Sequence, residues 1–178
     1  MRKLKLAELN RLSTADFIAA EKVPVIIVLD NIRSALNVGS VFRTADAFRI
    51  EAVYLVGCTA IPPHRDILKS ALGATDSVHW QYFDTIETCI FHLQQKNYSL
   101  FSIEQTENST PLQDIDFAKA YPLAIILGNE VSGVSDYALS HSNKIVEIPQ
   151  LGTKHSLNIS VCAGIVAWES AKLMINTH

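Results

Sequence analysis

The stretch Leu123–Val134, LAIILGNEVSGV, is where the fold of this chain is decided. Leu123 to Leu127 is apolar at every position, the pattern of a short strand buried on both faces, as in a parallel sheet covered by helices. Gly128 and Gly133 then bracket a polar loop, and Ser135 to His141 reads as a short helix. The glycine spacing is that of a P-loop, and Ser135 fits its Ser/Thr, but Val134 stands where Lys is required. The lysine that neutralises nucleotide phosphates is therefore missing.

Working outward, the same alternation repeats. Upstream, Val23 to Leu29 (VPVIIVL) is a β-branched buried strand, and Val38 to Phe48 places Val38, Val41, Phe42 and Ala45 at helical spacing. Ala52 to Val56 is the next strand, Arg65 to Leu72 a helix, and Ser77 to Phe83 a short strand. Thr85 to Gln95 is helical and Tyr98 to Ile103 a strand, followed by a polar stretch from Glu104 to Asp116. Downstream, Ile145 to Ile148 is a last strand and Leu157 to Ile175 a long helix. Strands alternating with helices predict an α/β fold with a parallel sheet covered on both faces. Ligands of such sheets sit beyond the carboxyl ends of the strands. The loops after Leu29, Ile103, Leu127 and Ile148 are thus the candidate site.

The long last helix carries Leu157, Ile159, Val161, Ile165, Val166, Trp168, Leu173 and Met174 around most of its circumference. A helix apolar on nearly all sides must be covered on nearly all sides. It is either a central core helix or a subunit interface.

Composition narrows the class. The chain has 178 residues, 48% hydrophobic and 19% charged, enough for one globular domain. No apolar run approaches the roughly 18 residues of a membrane span. The basic opening, Met1 to Arg11, is followed by no apolar h-region, so export is not expected and the protein is placed in the cytoplasm. Cys58, Cys89 and Cys162 are odd in number and scattered, and the six histidines lack metal-ligand spacing, so neither a disulfide framework nor a metal site is expected. The net charge is −3, yet residues 1–70 hold ten Lys or Arg against seven Asp or Glu, while 71–178 hold five against eleven. A basic N-terminal part can face RNA while an acidic remainder faces solvent.

Four of the seven glycines lie in the candidate loops or just after them: Gly39, Gly128, Gly133 and Gly152. Glycine there permits positive φ and close approach of a ligand to the backbone, or simply turn chemistry. No Gly-x-Gly-x-x-Gly follows a strand, and no Gly-x-Ser-x-Gly nucleophile elbow is present.

Taken together, three segments resemble the three motifs of the SpoU (TrmH-like) family of RNA 2′-O-methyltransferases, within the SPOUT superfamily. The first is the opening strand followed by Asn37, Gly39 and Arg43; the second is Leu123–Val134; the third is EIPQLGTKHSLNISVCAGIVAWE, Glu147 to Glu169. Lys69 to Val78 (KSALGATDSV) and Ser102 to Ser109 (SIEQTENS) also look like family segments. The resemblance runs from about Val23 to the C-terminus.

The resemblance implies a parallel-sheet SPOUT methyltransferase fold with a C-terminal deep trefoil knot, a feature that spacing alone would not predict. It implies a homodimer formed through the knot helices, which favours the interface reading of the last helix. S-adenosylmethionine is the implied cofactor and S-adenosylhomocysteine the product. Carried over by motif, cofactor-binding positions are Ile103, Gly128, Ile148, Ser156 and Leu157, reading the adenine mainly through main-chain groups. The implied catalytic set is Arg43, Asn37, Glu130, Ser156 and Asn158. Arg43 activates or stabilises the ribose hydroxyl; because a guanidinium holds its proton, stabilising the alkoxide or clamping the adjacent phosphate is the preferred role. Asn37 fixes the loop carrying Arg43. Glu130 orients groups in the knot or holds the arginine. Ser156 and Asn158 position ribose or cofactor, with helix capping as the alternative for Asn158.

The expected RNA-binding residues are Arg2, Lys3, Lys5, Arg33, Arg43, Arg65 and Lys69, with His64 beside them. Many relatives carry an added RNA-binding domain or flanking helices. Here a single domain, 1–178 with a short basic segment 1–22, is expected to recognise tRNA or rRNA by itself. A non-catalytic RNA-binding or cofactor-sensing homodimer on the same fold is the alternative reading.

Overall fold

The strand read from VPVIIVL is β1 (Val23–Asp30), and the rest of the chain is arranged around it. All of β1 except Pro24 is buried. Val25, Ile27 and Leu29 belong to one core and Ile26 and Val28 to the other, the two-residue period of a pleated strand. Each fully buried side chain of this size contributes about 1.5–3 kcal/mol, so β1 must be covered on both sides. The computed structural model, which describes residues 1–5, 8–9 and 11–175 (Ile175 by its backbone alone), supplies a layer on each.

The first layer is α2 (Ala35–Ala47) and α7 (Ile159–Ile175), extended by α1 (Thr14–Ala19), α3 (Arg65–Ala71) and α4 (Ala74–Ser77). The second is α5 (Ile86–Gln95) and α6 (Asp136–His141). Between them β2 (Ile50–Val56), β3 (His79–Phe83), β4 (Ser99–Ile103), β5 (Thr110–Pro111), β6 (Leu123–Leu127) and β7 (Lys144–Glu147) join β1 in one seven-stranded sheet. Its order is β3-β2-β1-β6-β4-β7-β5 and its six pairings are all parallel. Because β6 lies between β1 and β4, with β7 next, the four candidate loops emerge side by side at one edge of the sheet. Among the described residues no helix is long and apolar enough to cross a membrane.

Local chemistry moves several boundaries. Apolar spacing begins the second helix at Val38, but Ser34 caps it by accepting the Asn37 N–H (3.3 Å), so α2 starts at Ala35 and encloses Asn37. The last helix starts at Ile159, not Leu157. The Asn158 carbonyl accepts the Cys162 N–H (2.9 Å) and its Oδ1 accepts the Ser160 N–H (2.9 Å), which makes Asn158 the cap and leaves Leu157 in the loop. The strand expected through Ile148 ends at Glu147, freeing Ile148 for the same loop. Helices α1 and α4 and strand β5 have six, four and two residues, too few to show a period in sequence. The basic opening segment includes Leu6, Ala7 and Asn10, which lie outside the described residues.

One expectation is corrected. Gly39 does not open the backbone to a ligand: it is buried inside α2, where an added Cβ would stand 2.1 Å from Ser70 Oγ and 2.3 Å from the Ile67 carbonyl. Its role is the close contact of α2 with α3. Within the single chain the core covers α7 only in part, leaving Val161, Trp168 and Leu173 51%, 46% and 44% exposed.

Candidate functional site

The carboxyl edge of the sheet is built from polar residues that bind loops to one another. Asp30, buried at the end of β1, accepts the Asn31 amide (2.9 Å) and the Ser135 N–H (3.3 Å). Asn31 adopts φ of 58°, takes the Cys58 N–H on its side chain (3.1 Å), and offers its carbonyl to Asn129 Nδ2 (2.7 Å). Loops from β1, β2 and β6 are thus fastened at one residue.

The loop after β6 is tight. Asn129 and Gly133 exchange both backbone hydrogen bonds at 2.9 Å, and Asn129 Oδ1 takes the N–H groups of Val131 (2.8 Å) and Ser132 (3.1 Å). A Cβ on Gly128 would lie 2.1 Å from the Val134 nitrogen, so this close fold-back requires glycine. From the end of β4, Glu104 Oε2 accepts the Val134 N–H (3.0 Å) and braces the loop from the other side.

Beside this loop lies a cleft of about 500 Å³, within the range of small-molecule sites. All five expected cofactor positions, Ile103, Gly128, Ile148, Ser156 and Leu157, line it, as do Glu130 and Asn158 of the expected catalytic set. Its walls also hold Glu104, Asn129, Glu147 and Cys162, but no lysine or arginine. Burial, and then the nearby Glu104, pushes the Cys162 thiol up to about 12, so it stays a neutral packing group.

From the cleft wall, Glu130 bonds the start of α2. Its carboxylate accepts the backbone N–H groups of Arg33 (3.0 Å) and Ser34 (3.1 Å) and the Asn37 amide Nδ2 (3.3 Å). A negative charge there meets the unpaired N–H groups and positive dipole end of a helix. Burial works to raise the Glu130 pKa, but the bonds from Arg33, Glu130's own N–H, Ser34 and Asn37 outweigh it and hold the group below its ordinary value. Asn37 in turn accepts from Asn158 Nδ2 (3.3 Å). Glu130, Asn37 and Asn158 therefore form one chain of contacts spanning all three motif segments. Asn158 is both helix cap and member of that chain, so its two sequence readings are not exclusive.

Arg43 stands apart. It is exposed on α2 and forms no hydrogen bond or ion pair with the described residues; in particular Glu130 does not hold it. It lies six positions beyond Asn37, about 9 Å along the axis at ~1.5 Å per residue. Ser156 is exposed on the cleft wall with its hydroxyl unbonded. Among the expected RNA contacts, Arg33, Arg65 and Lys69 are exposed, and α3 brings Arg65 and Lys69 alongside the helix that bears Arg43. Lys3 and Lys5 are exposed at the N-terminus, where Arg2 pairs with Glu8 (2.6 Å). No group of His, Cys, Asp or Glu among the described residues converges as a metal site.

Sequence reading missed Asp30, Asn31, Glu104 and Asn129. The available signal was their position: each is a hydrogen-bonding side chain at or within two residues of the carboxyl end of a buried strand, where loop backbone needs partners.

Comparison with known proteins places these features. The model of the SpoU rRNA Methylase family matches residues 24–168. A Staphylococcus saprophyticus protein assigned to the TrmH family as a tRNA/rRNA methyltransferase is 28% identical over 151 residues, covering 85% of this chain and 59% of that protein. The tRNA (guanosine(18)-2′-O)-methyltransferase of Escherichia coli K12 is 24% identical over 157 residues, covering 88% of this chain and 67% of that one. The chain thus spans about three-fifths to two-thirds of the length of these relatives. Among solved structures, the AdoMet-bound rRNA methyltransferase of Sinorhizobium meliloti superposes with a TM-score of 0.78 at 23% identity, covering 86% of this chain and 61% of that one. That likeness shows a shared fold.

Proposed function

The chain belongs to the SpoU rRNA Methylase family, and on that premise we propose that it transfers a methyl group from S-adenosylmethionine to a ribose 2′-hydroxyl of tRNA or rRNA, releasing S-adenosylhomocysteine. The observation that carries this reading is the cleft: five positions assigned to cofactor by motif line one cavity, and the wall of that cavity is bonded to the helix bearing Arg43.

The cleft fits the cofactor by its donor set. It has main-chain groups and apolar side chains for an adenine at Ile103, Gly128, Ile148 and Leu157, and carboxylates at Glu104 and Glu147, with no lysine or arginine among its described lining residues to hold a phosphate. A phosphate-free nucleoside with a positive charge suits such walls; ATP or a dinucleotide does not. When bound, S-adenosylmethionine supplies a methyl carbon already activated by its sulfonium. The chain's own task is then to present the acceptor and stabilise the charge it develops as its proton passes to solvent. The guanidinium of Arg43 donates to the hydroxyl oxygen as its charge develops, or grips the neighbouring phosphate, since it gives hydrogen bonds and does not accept them. Ser156, with a free hydroxyl on the cleft wall, positions ribose or cofactor. Arg33, Arg65, Lys69 and the N-terminal Arg2, Lys3 and Lys5 supply phosphate contacts.

Three finer features complete the reading. Supporting a C-terminal trefoil knot, the segment after β7 must return across the sheet edge to reach α7 against α2 and β1, and it passes the segment after β4, where Gln105 Nε2 donates to the His155 carbonyl (3.2 Å). A homodimer would cover Val161 and Trp168, seven residues apart on one face of α7 and 51% and 46% exposed; Trp168→Glu is expected to give a monomer in sedimentation velocity. Residues 1–178 are read as one domain acting on cytoplasmic RNA; the single-domain reading is supported by one sheet that takes in every strand of the described residues.

The test is transfer of tritiated methyl from S-adenosylmethionine to size-fractionated unmodified RNA, with Arg43→Ala alongside. Label that survives alkali in a protected dinucleotide, and vanishes with Arg43→Ala, is the expected result. Cofactor binding without label in any fraction would instead favour the non-catalytic sensor.

A further inference from the structure

The cleft and the basic surface are separate places joined through the start of α2. No residue of α2 lines the cleft, yet the first turn of α2 is held by two residues that do. Glu130, in the loop after β6, covers the Arg33 and Ser34 N–H groups and takes Asn37 Nδ2. Asn158, ahead of α7, donates to Asn37 Oδ1 while its own Oδ1 takes the Ser160 N–H and hydroxyl (2.9 and 2.7 Å). The two ends of one amide are therefore held by opposite walls of the cleft. Asn37 touches no site for cofactor and carries no charge for RNA.

Those two walls differ in how well they are fixed. The Glu130 loop is bonded at Asn129, Val131, Ser132 and Val134, whereas between Pro149 and Leu157 the hydrogen bond to the rest of the described chain is Gln105 to the His155 carbonyl. A ligand in the cleft touches both walls and sets the distance between them. A change in that distance is felt at Asn37, the side chain of α2 that bonds both walls.

Resting on the methyltransferase reading above, we infer that Asn37 is a positioning residue that couples the two substrates: cofactor in the cleft fixes both partners of its amide, and this holds the first turn of α2, with Arg33 at its start and Arg43 two turns on, in the orientation that grips RNA. Cofactor and RNA then bind with positive cooperativity. Linkage requires the effect to be reciprocal, so RNA tightens cofactor by the factor that cofactor tightens RNA.

The experiment measures a binding cycle at fixed salt, because phosphate contacts make RNA affinity salt-dependent. Sinefungin, a cationic and non-transferring analogue, serves as the cofactor probe, and unmodified tRNA and rRNA fragments as the RNA. In the unaltered protein, saturating sinefungin is expected to tighten RNA by about fivefold or more, the lower end of typical coupling, and RNA to tighten sinefungin equally. In Asn37→Ala the factor falls to near one while sinefungin alone binds about as before, a separation that a merely structural asparagine would not give. Asn37→Asp provides a second variant, which keeps an acceptor for Asn158 but places a carboxylate against Glu130; it too is expected to lose the coupling. Absence of coupling in the unaltered protein, or coupling retained in either variant, overturns the inference and leaves the methyltransferase reading standing. Sinefungin binding with no RNA affinity in any fraction overturns both.

Discussion

The two loops that face each other across the cleft are built on opposite plans. Gly128–Val134 closes on itself through the Asn129–Gly133 bond pair, is braced by Glu104, and fastens α2 through Glu130. Pro149–Leu157 is exposed over most of its length, and Gly152 has no heavy atom within 4 Å of where its Cβ would be. One wall is fixed by its own hydrogen bonds, and the other has few to hold it. A site made this way can pre-organise the groups that must not move and still admit a bulky nucleoside through the side that can.

The strongest way to break this contrast is Gly128→Ala. The new methyl would run into the Gly133–Val134 peptide, 2.1 Å from the Val134 nitrogen and 2.2 Å from the Gly133 carbonyl carbon, with no flexible side chain to give way. We expect a loss of about 2–3 kcal/mol or more in denaturant unfolding, at the upper end of overpacking costs, and loss of sinefungin binding. A variant that melts like its parent would mean that the loop is not the fixed wall described.

Glu130 tests the same wall with less violence. Its carboxylate caps α2, and Glu130→Ala is expected to cost about 1 kcal/mol, the usual size of a lost cap. The folded pKa is depressed, so the stabilisation is complete above the unfolded glutamate value and disappears as pH falls through the lower folded one. Unfolding measured in that acid range should therefore show a steeper fall for the parent than for Glu130→Gln, which carries no titrating group there. Parallel curves would remove Glu130 as the fastening.

Hydrogen exchange reads both walls without mutation. The N–H groups of Val131, Ser132, Gly133 and Val134 have acceptors and should exchange slowly with or without ligand. Those from Gln150 to Leu157 should exchange quickly and gain protection, about tenfold or more, on adding S-adenosylhomocysteine. Equal rates on the two walls would erase the distinction.

The contrast also explains what could be read from sequence. Strands such as LAIIL and VPVIIVL announce themselves because burial on both faces leaves no polar residue in them, and loop glycines flag the sheet edge. The five expected cofactor positions came from motif resemblance, and they converge because they lie at or beyond the ends of strands that are side by side. What was not legible depends on distance in sequence: Glu130 to Asn37 spans 93 positions and Asn37 to Asn158 spans 121. No periodicity encodes such a pairing. Gly39 was misread for the same reason, because its partners, Ser70 and Ile67, belong to another helix.

Gly152→Ala, the same chemical change on the opposite wall, should have the smallest effect. Nothing surrounds the new methyl and Gly152 lies outside the left-handed region, so stability should stay within about 0.5 kcal/mol of the parent. Sinefungin affinity is the sharper readout, because it samples the bound loop rather than the free one. A change under about threefold, well below the tenfold that 1.4 kcal/mol represents, means that the loop closes over ligand with Gly152 in a conformation any residue can adopt. A loss greater than tenfold with stability unchanged would mean that closing drives Gly152 into backbone space reserved for glycine. In that case the second wall is refolded by the ligand and not merely ordered by it, and the difference between the two walls is larger than their hydrogen bonds alone imply.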